Sequence, residues 1–499
     1  MTQPGPTGAP ATQEETDIVV VGGGGSGLTA AIFARQAGAR VILLEKHTEL
    51  RGSTGLSIGS ITATGTWHQK RAGIADTTQA HFEDMAKFAG DLAASDNEAL
   101  RRILVENVGE SVAWLMRLGV TFYGPMPEPP HRQPRMHNVI PNSRAYIYFV
   151  AREAARVGVD ARVNAAVERL IVENGRVVGV VAVIAGRSVE IRARRAVILA
   201  TGDYSSSPEW KGRFNPAVAD VDGVNTTNTG DGHRFGEDLG AAVKFGEVVY
   251  GPNLRFMPPP KPSLLLSLPP HPWLTNAMRI ALERLPAALL RPFILSFVTT
   301  YLSPEPSLFR EGAILVNKNG ERFADELDKP NYAFGKQPDK IGYIVFDERV
   351  AKKFRKWPYF ISTAPGVAYA YLQDYRRNRP DLFHKGASLG ALATSMGVPA
   401  DRLEAEVARY NAASGRPKLA SGPYYALGPV KSWIILTDGG LTVNTSHQVT
   451  RADGSVVPGL YAVGSTGQGG LLLEGHGHHL AWAFTSGRLA GRHAASANA

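Results

Sequence analysis

From Asp17 to Val21 the chain is apolar and largely β-branched, breaks at a run of glycines between 22 and 27, turns alanine-rich to Ala37, and is apolar again from Val41 to Leu44 before Glu45. A short continuous apolar run bounded by turn residues predicts a buried strand, and a longer alanine-rich stretch predicts a helix. The segment therefore reads as strand, glycine turn, helix, strand. Residues 77–118 are predicted helical, with Leu100, Ile103, Leu104, Val108, Val112 and Leu115 at helical spacing. Residues 162–198 read as short strands around turns at Glu173-Asn174-Gly175 and Gly186-Arg187, leading into Ala200-Thr201-Gly202.

From about 251 the pattern changes, with prolines at 258–260, 262, 269, 270 and 272 marking a domain boundary. Residues 264–302 are strongly apolar, broken by prolines and by Glu283, Arg284 and Arg291. The longest uncharged run in its second half, 292–304, falls short of the roughly 20 residues a membrane-spanning helix needs. A helical hairpin is predicted here, packed in the second domain or at a homo-oligomer interface. The alternative is an apolar patch that dips into a membrane surface and through which an apolar substrate arrives.

At 499 residues the chain exceeds the roughly 250 to 300 at which one core stops growing, so two domains are expected after a flexible tail over 1–16. Hydrophobic content of 44% and charged content of 20% suit a folded enzyme. Lys and Arg exceed Asp and Glu by 54 − 45 = 9, which favours anionic partners. The positive charge is dispersed, with only short clusters at 192–195 and 352–356 and no nucleic-acid-binding motif, so nucleic acid is not an expected partner. The absence of cysteine excludes disulfides, thiolate-bound iron–sulfur clusters, a Cys-x-x-Cys-His haem site and cysteine nucleophiles. No metal site is expected. Electrons that reach a redox cofactor here must leave to an external acceptor. The start shows no basic stretch followed by an apolar one, so the cytoplasm is the expected compartment, with membrane association through 264–302 as the variant.

The glycine run is Gly22-x-Gly24-x-x-Gly27, and Glu45 lies 21 residues beyond Gly24 at the end of the next strand. Glycines permit the tight turn and close backbone approach, the helix start offers N–H groups to a pyrophosphate, and the carboxylate accepts ribose hydroxyls. Gly25, Ser26 and Lys46 belong to the same dinucleotide site.

The serine- and glycine-rich stretch 51–61, Ala200-Thr201-Gly202, Thr229-Gly230-Asp231-Gly232, the segments 312–317 and 320–323, and 457–464 occur in an order that resembles one family over nearly the whole chain. That family is the flavoprotein superfamily of fumarate reductase and succinate dehydrogenase, and the type it is most similar to is that of 3-ketosteroid Δ1-dehydrogenase and the cyclohexanone-type dehydrogenases. The resemblance implies an α/β fold in which a Rossmann-type FAD-binding domain, 17–250 and 437–499, is interrupted by an α+β capping domain, 251–436. It implies FAD contacts from Ser53, Thr54, Ser57, Gly59, Ser60, Val167, Ala200, Thr201, Gly202, Thr229, Asp231, Gly464, Ser465, His479 and Leu480. Family members that attach the flavin covalently do so through a histidine at the place of Ser53, so FAD is expected to be non-covalent. The motif Gly475-His476-Gly477-His478-His479-Leu480 precedes a helix whose N-terminus would face the flavin pyrimidine carbonyl.

Anchors that the fumarate enzymes use are missing: Pro330 and Glu474 stand where family arginines do, and Ile435 and Leu436 where paired histidines do. The ketone desaturases imply another set of tools, a tyrosine base, hydride transfer to flavin N5 and donors to the ketone oxygen. Tyr332, with Lys329 nearby, and Tyr204 are the candidate tyrosines. The Gly477 N–H is the candidate carbonyl donor. Leu473 replaces the family's second hydroxyl, which points to His476 or His478 as substitute and to Glu474 as a further candidate base. Trp67 and Trp114 are assigned to the core. The resulting expectation is an FAD-dependent dehydrogenase that introduces a C=C bond next to the carbonyl of an apolar, cyclic or steroid-like ketone. One alternative is a fumarate-reductase-like enzyme acting on a carboxylic acid, for which Arg144 and Arg255 would have to enter the site. Another is an electron-transfer flavoprotein docked through the apolar section.

Overall fold

The computed structural model describes residues 12–261, 268–364, 368–413, 415–420 and 422–497. Strand β1 (Thr12–Val21), helix α1 (Gly25–Gln36) and strand β2 (Val41–Leu44) form as the apolar pattern requires, with Ile18, Val19, Val20 and Leu43 fully buried. Helix α2 (Glu98–Leu118) covers the second half of the predicted helical region. The first half is a shorter helix, Thr78–Ala86, because the chain turns at 90–95 and Asn97 starts α2 by accepting the Leu100 N–H at 3.2 Å. Strands β3 (Asp160–Arg162), β4 (Ala165–Glu173), β5 (Arg176–Ile184) and β6 (Arg187–Leu199) follow. Their hairpin turns fall where expected, with Asn174, Gly175, Ala185 and Gly186 all at positive φ.

Near the C-terminus β12 (Gln448–Thr450), β13 (Val456–Ala462) and helix α5 (His478–Ser496) return to the same sheet. Its order is β12-β13-β6-β1-β2-β3, parallel across β13, β6, β1, β2 and β3, with the β4-β5 hairpin joined through β6. Residues 12–16, expected within a tail, are instead the first half of β1, pairing with Val189–Ala193. Helices α1 and α5 cross at close range because α5 carries glycines there. A Cβ on Gly487 would lie 2.4 Å from the Ser26 carbonyl oxygen, and one on Gly491 2.3 Å from that of Ala30.

The middle of the chain builds a separate antiparallel sheet in the order β7-β11-β9-β8, from β7 (Asn253–Phe256), β8 (Ile314–Val316), β9 (Ile341–Phe346) and β11 (Tyr424–Trp433), with β10 (Phe383–Gly386) also paired to β11. Leu254, Phe256, Leu315, Phe346 and Leu427 are buried in its core. Two helices form in the predicted place, α3 (Pro272–Arg284) and α4 (Ala287–Tyr301), but each packs mainly on other elements rather than as a hairpin on the other, while residues 264–267 lie outside the described part. Helix α3 packs on the strand Thr121–Met126, with Thr275 and Thr121 hydroxyls 2.8 Å apart and Glu283 paired to Arg71. Helix α4 packs on β7 and on the helix Leu372–Asn378, where Arg291 meets Asp374 at 2.9 Å. Trp273, Leu289 and Phe293 are left exposed. Among the described residues, no helix is long and apolar enough to cross a membrane. Of the two tryptophans assigned to the core, Trp114 is buried against Phe33, but Trp67 is 53% exposed at the start of a surface helix.

Candidate active site

A cavity with about 420 Å³ of free volume runs from the glycine turn, past the loop 52–60, to residues of the second sheet. Gly22 sits at φ +113°, and a Cβ on it would fall 2.2 Å from the Ala200 carbonyl oxygen. A Cβ on Gly27 would fall 1.9 Å from the Gly22 oxygen. Gly27 therefore serves helix–strand packing and does not line the cavity, whereas Gly22, Gly24, Gly25 and Ser26 do. Gly24 gives helix α1 no side-chain cap, and apart from the Gly25 N–H, which Thr54 takes, the first turn keeps N–H groups for an anion. Glu45 lines the cavity, its oxygens accepting the Gly23 N–H at 2.6 Å and the His47 N–H at 2.8 Å, and each oxygen keeps lone-pair capacity for a ribose hydroxyl. These residues fit a dinucleotide.

Farther along, Thr54 accepts the Gly25 N–H, Ser57 donates to the Thr54 carbonyl, and Ser60 donates to Asn138. Gly59 turns at φ +92°. All four line the cavity, as do Val167, Ala200, Thr201, Gly202, Gly464, Ser465, His479 and Leu480. Lys46 bridges to Asp231 at 2.7 Å and Thr229 at 2.6 Å; Thr229 stands behind this pair rather than on the wall. Ser53 accepts from the amides of Asn225 and Asn228, both 3.0 Å away, and Asn228 in turn donates to the buried Asp203. This amide network was not visible as a motif.

The candidate catalytic residues separate. Tyr332 is 38% exposed and does not line the cavity. It lies on the 3₁₀ turn Pro330–Lys336, whose Phe334 is buried in the second core, and at about three residues per turn a side chain two positions away points elsewhere. Lys329 is exposed with it. Tyr204 is fully buried, donates to the Gly246 carbonyl at 2.7 Å and packs against Trp210 and His233. Burial pushes its phenol well above the usual range, so it is a core tyrosine and not a base. Gly477 and His476 line the cavity; Gly477 is at φ +92° and begins α5 without a side-chain cap. The His476 ring is already committed, its Nδ1 2.6 Å from Glu128, which raises the His476 pKa. His478 is buried and its Nδ1 meets the Glu474 carbonyl. Glu474 stands behind the wall, its carboxyl raised by burial and by Asp438. Arg144 is exposed on the helix Arg144–Arg156, whereas Arg255 lines the cavity.

The structure adds groups that sequence reasoning passed over. Strand Val249–Tyr250 pairs with Leu436–Thr437, which brings Tyr250 beside Asp438. The buried Asp438 carboxylate accepts His479 Nε2–H at 2.7 Å and lies 3.5 Å from the Tyr250 hydroxyl, while the Tyr250 and His479 rings meet edge to face at 5.3 Å. Burial, Asp438 and Glu474 all raise the Tyr250 pKa, so its phenol is a donor at neutral pH. His479 Nδ1 makes no hydrogen bond among the described residues. This arrangement supplies a buried carboxylate, an imidazole it orients and a protonated phenol on one wall.

Away from the cavity His81, His131 and His478 come together in the interior, although no metal ligands were expected. Arg135, itself held by Asp76 and Asp84, lies 2.8 Å from His131 Nδ1. A guanidinium only donates, so the neutral ring carries its proton on Nε2 and that nitrogen is not a ligand. Burial lowers His131 to about 3 and His478 to about 4.

The sequence profile of the FAD binding domain family matches residues 17–263 and 302–472. The chain belongs to this FAD-binding family. Helices α3 and α4 fall in the stretch the profile passes over. The flavoprotein is 29% identical over 509 residues to a fumarate reductase (cytochrome) of Shewanella frigidimarina, covering 98% of this chain and 78% of that protein. It is 26% identical over 599 residues to a 4-oxocyclohexanecarboxylate 2-dehydrogenase of Sinomonas cyclohexanicum, covering 95% of this chain and 92% of that one. The open conformation of a flavocytochrome c3 fumarate reductase superposes with a TM-score of 0.70 at 26% identity, covering 97% of this chain and 78% of that chain. The flavoprotein is thus an FAD-dependent oxidoreductase of the group that works on carbon–carbon bonds.

Proposed function

We propose that this flavoprotein introduces a C=C bond next to the carbonyl of a cyclic ketone. The observation that carries the reading is the Tyr250–Asp438–His479 array beside the apolar Ile435 and Leu436 on the cavity wall. The turn at 22–26, Glu45 and the loop 53–60 would hold FAD, which would supply the hydride acceptor for the β-carbon. Tyr250 donates its hydrogen bond to the ketone oxygen, which stabilises the enolate charge that develops as the α-proton leaves. His479 takes that proton on Nδ1, and Asp438 holds the ring by Nε2–H and stabilises the cation that forms. The tyrosine thus acts as donor, and the base is the histidine. The 4-oxocyclohexanecarboxylate 2-dehydrogenase supports a cyclic ketone as substrate. With no cysteine for a cluster of its own, the protein hands its electrons to an external acceptor.

Anaerobic mixing of the oxidised protein with cyclohexanones, 3-oxosteroids and dicarboxylates tests the reading through loss of flavin absorbance. Bleaching by cyclic ketones is expected. Bleaching by saturated dicarboxylates alone would overturn it.

A further inference from the structure

The alternation of β7 places Leu254 and Phe256 in the second core and turns Arg255 between them toward the cavity it lines. No carboxylate among the described residues lies within 4.0 Å of this guanidinium, and it makes no hydrogen bond there. Burial alone lowers its pKa. Arg255 is half-buried, and the fully buried arginines are treated differently. Arg135 has Asp76 and Asp84, Arg379 has Asp381, and Arg488 has Glu110. A desolvated cation without a partner is costly, and this one faces a pocket. The cavity is also polarised, since Asp438 lies behind Tyr250 and His479, near Glu474, whose carboxyl burial and then Asp438 push up.

We propose that the substrate is a monoanion, a cyclic carbonyl compound bearing one carboxylate that seats on Arg255 while its reacting carbons lie at Tyr250 and His479. This rests on the reading of the site above. A planar guanidinium matches a carboxylate through two parallel N–H donors. A dianion would bring its second carboxylate to the wall of Tyr250 and His479, which Asp438 backs, and a neutral ketone would leave Arg255 unpaired.

The test uses the FAD-loaded protein and four probes: 4-oxocyclohexanecarboxylate, its methyl ester, cyclohexanone and cyclohexanecarboxylate. Calorimetry gives dissociation constants without relying on turnover. The keto acid is expected to bind wild type at least about tenfold more tightly than its ester, as for a hydrogen bond to a charged group. Arg255→Gln should weaken the acid by about 10- to 100-fold and leave the ester unchanged, with Arg255→Lys restoring part of the loss. Equal binding of acid and ester to wild type overturns the proposal, and needs no variant that folds. So does an acid affinity within twofold of wild type in an Arg255→Gln protein that retains its FAD. Failure of the ketone reading looks different: cyclohexanecarboxylate then binds as well as the keto acid, no ketone bleaches the flavin, and the dependence on Arg255 persists.

Discussion

The two ends of the cavity are built in different ways. At the nucleotide end, backbone does most of the shaping: the turn 22–27 is defined by where a Cβ would collide, and Glu45 is held by two backbone N–H groups. At the substrate end, side chains from distant segments meet, Tyr250 from one strand, Asp438 from its partner and His479 from a helix start. A backbone-built site tolerates almost no added atom, whereas a side-chain-built site loses chemistry when one functional group goes but keeps its shape. That difference can be broken or sharpened by substitution.

The largest effect is expected at Gly27→Ala, whose methyl would sit 1.9 Å from the Gly22 oxygen, so the turn cannot close and the purified protein should carry no FAD by absorbance. A yellow Gly27→Ala protein would show that the turn yields. Next, His479→Ala and Tyr250→Phe should each slow flavin reduction about 10²- to 10⁴-fold, the usual range for one proton-transfer or charge-stabilising group, with FAD retained. Stopped-flow rates near wild type for both would remove the array from the chemistry. Glu45→Gln should weaken FAD retention by about 1 to 3 kcal/mol, read as flavin lost on gel filtration.

Tyr204→Phe removes a buried hydrogen bond and should cost about 0.5 to 1.5 kcal/mol in thermal stability without changing the reduction rate. Tyr332→Phe should change neither. The smallest effect concerns His476 and Glu128, which hold each other above and below their ordinary values of 6.5 and 4.5. The raised histidine contributes fully below pH 6.5 and loses its contribution as pH climbs through its folded value. The depressed carboxylate contributes above pH 4.5 and loses its share as pH falls through its own. The Tm gap between wild type and Glu128→Gln should therefore be widest between pH 4.5 and 6.5 and close above it, with at most about 1 kcal/mol at stake because the imidazole is exposed.

The nucleotide end was legible because its determinants are local: strand, glycines, helix and acid follow one another within 30 residues, and each has one physical role. The cofactor loop at 53–60 and the landmarks at 200–202 and 464–465 were legible through family resemblance and do line the cavity. Tyr250 and Asp438 were not, since 188 residues separate them and only the pairing of two dipeptide strands brings them together. Tyr332 and Tyr204 were misplaced for a related reason, because position along the chain does not reveal which way a side chain points. The polar sequence of residues 12–16 concealed a strand whose pairing partner lies in β6.

The helical pair α3–α4 holds both sheets' surroundings at once, one helix on the strand Thr121–Met126 and the other on β7. A rotation of one sheet relative to the other would have to break one of these two packing contacts. Either α3 and α4 travel with the part that carries β7 and the Thr121–Thr275 hydroxyl pair separates, or they stay and α4 parts from β7. Any widening of the cavity by such a rotation therefore costs a contact made outside its lining.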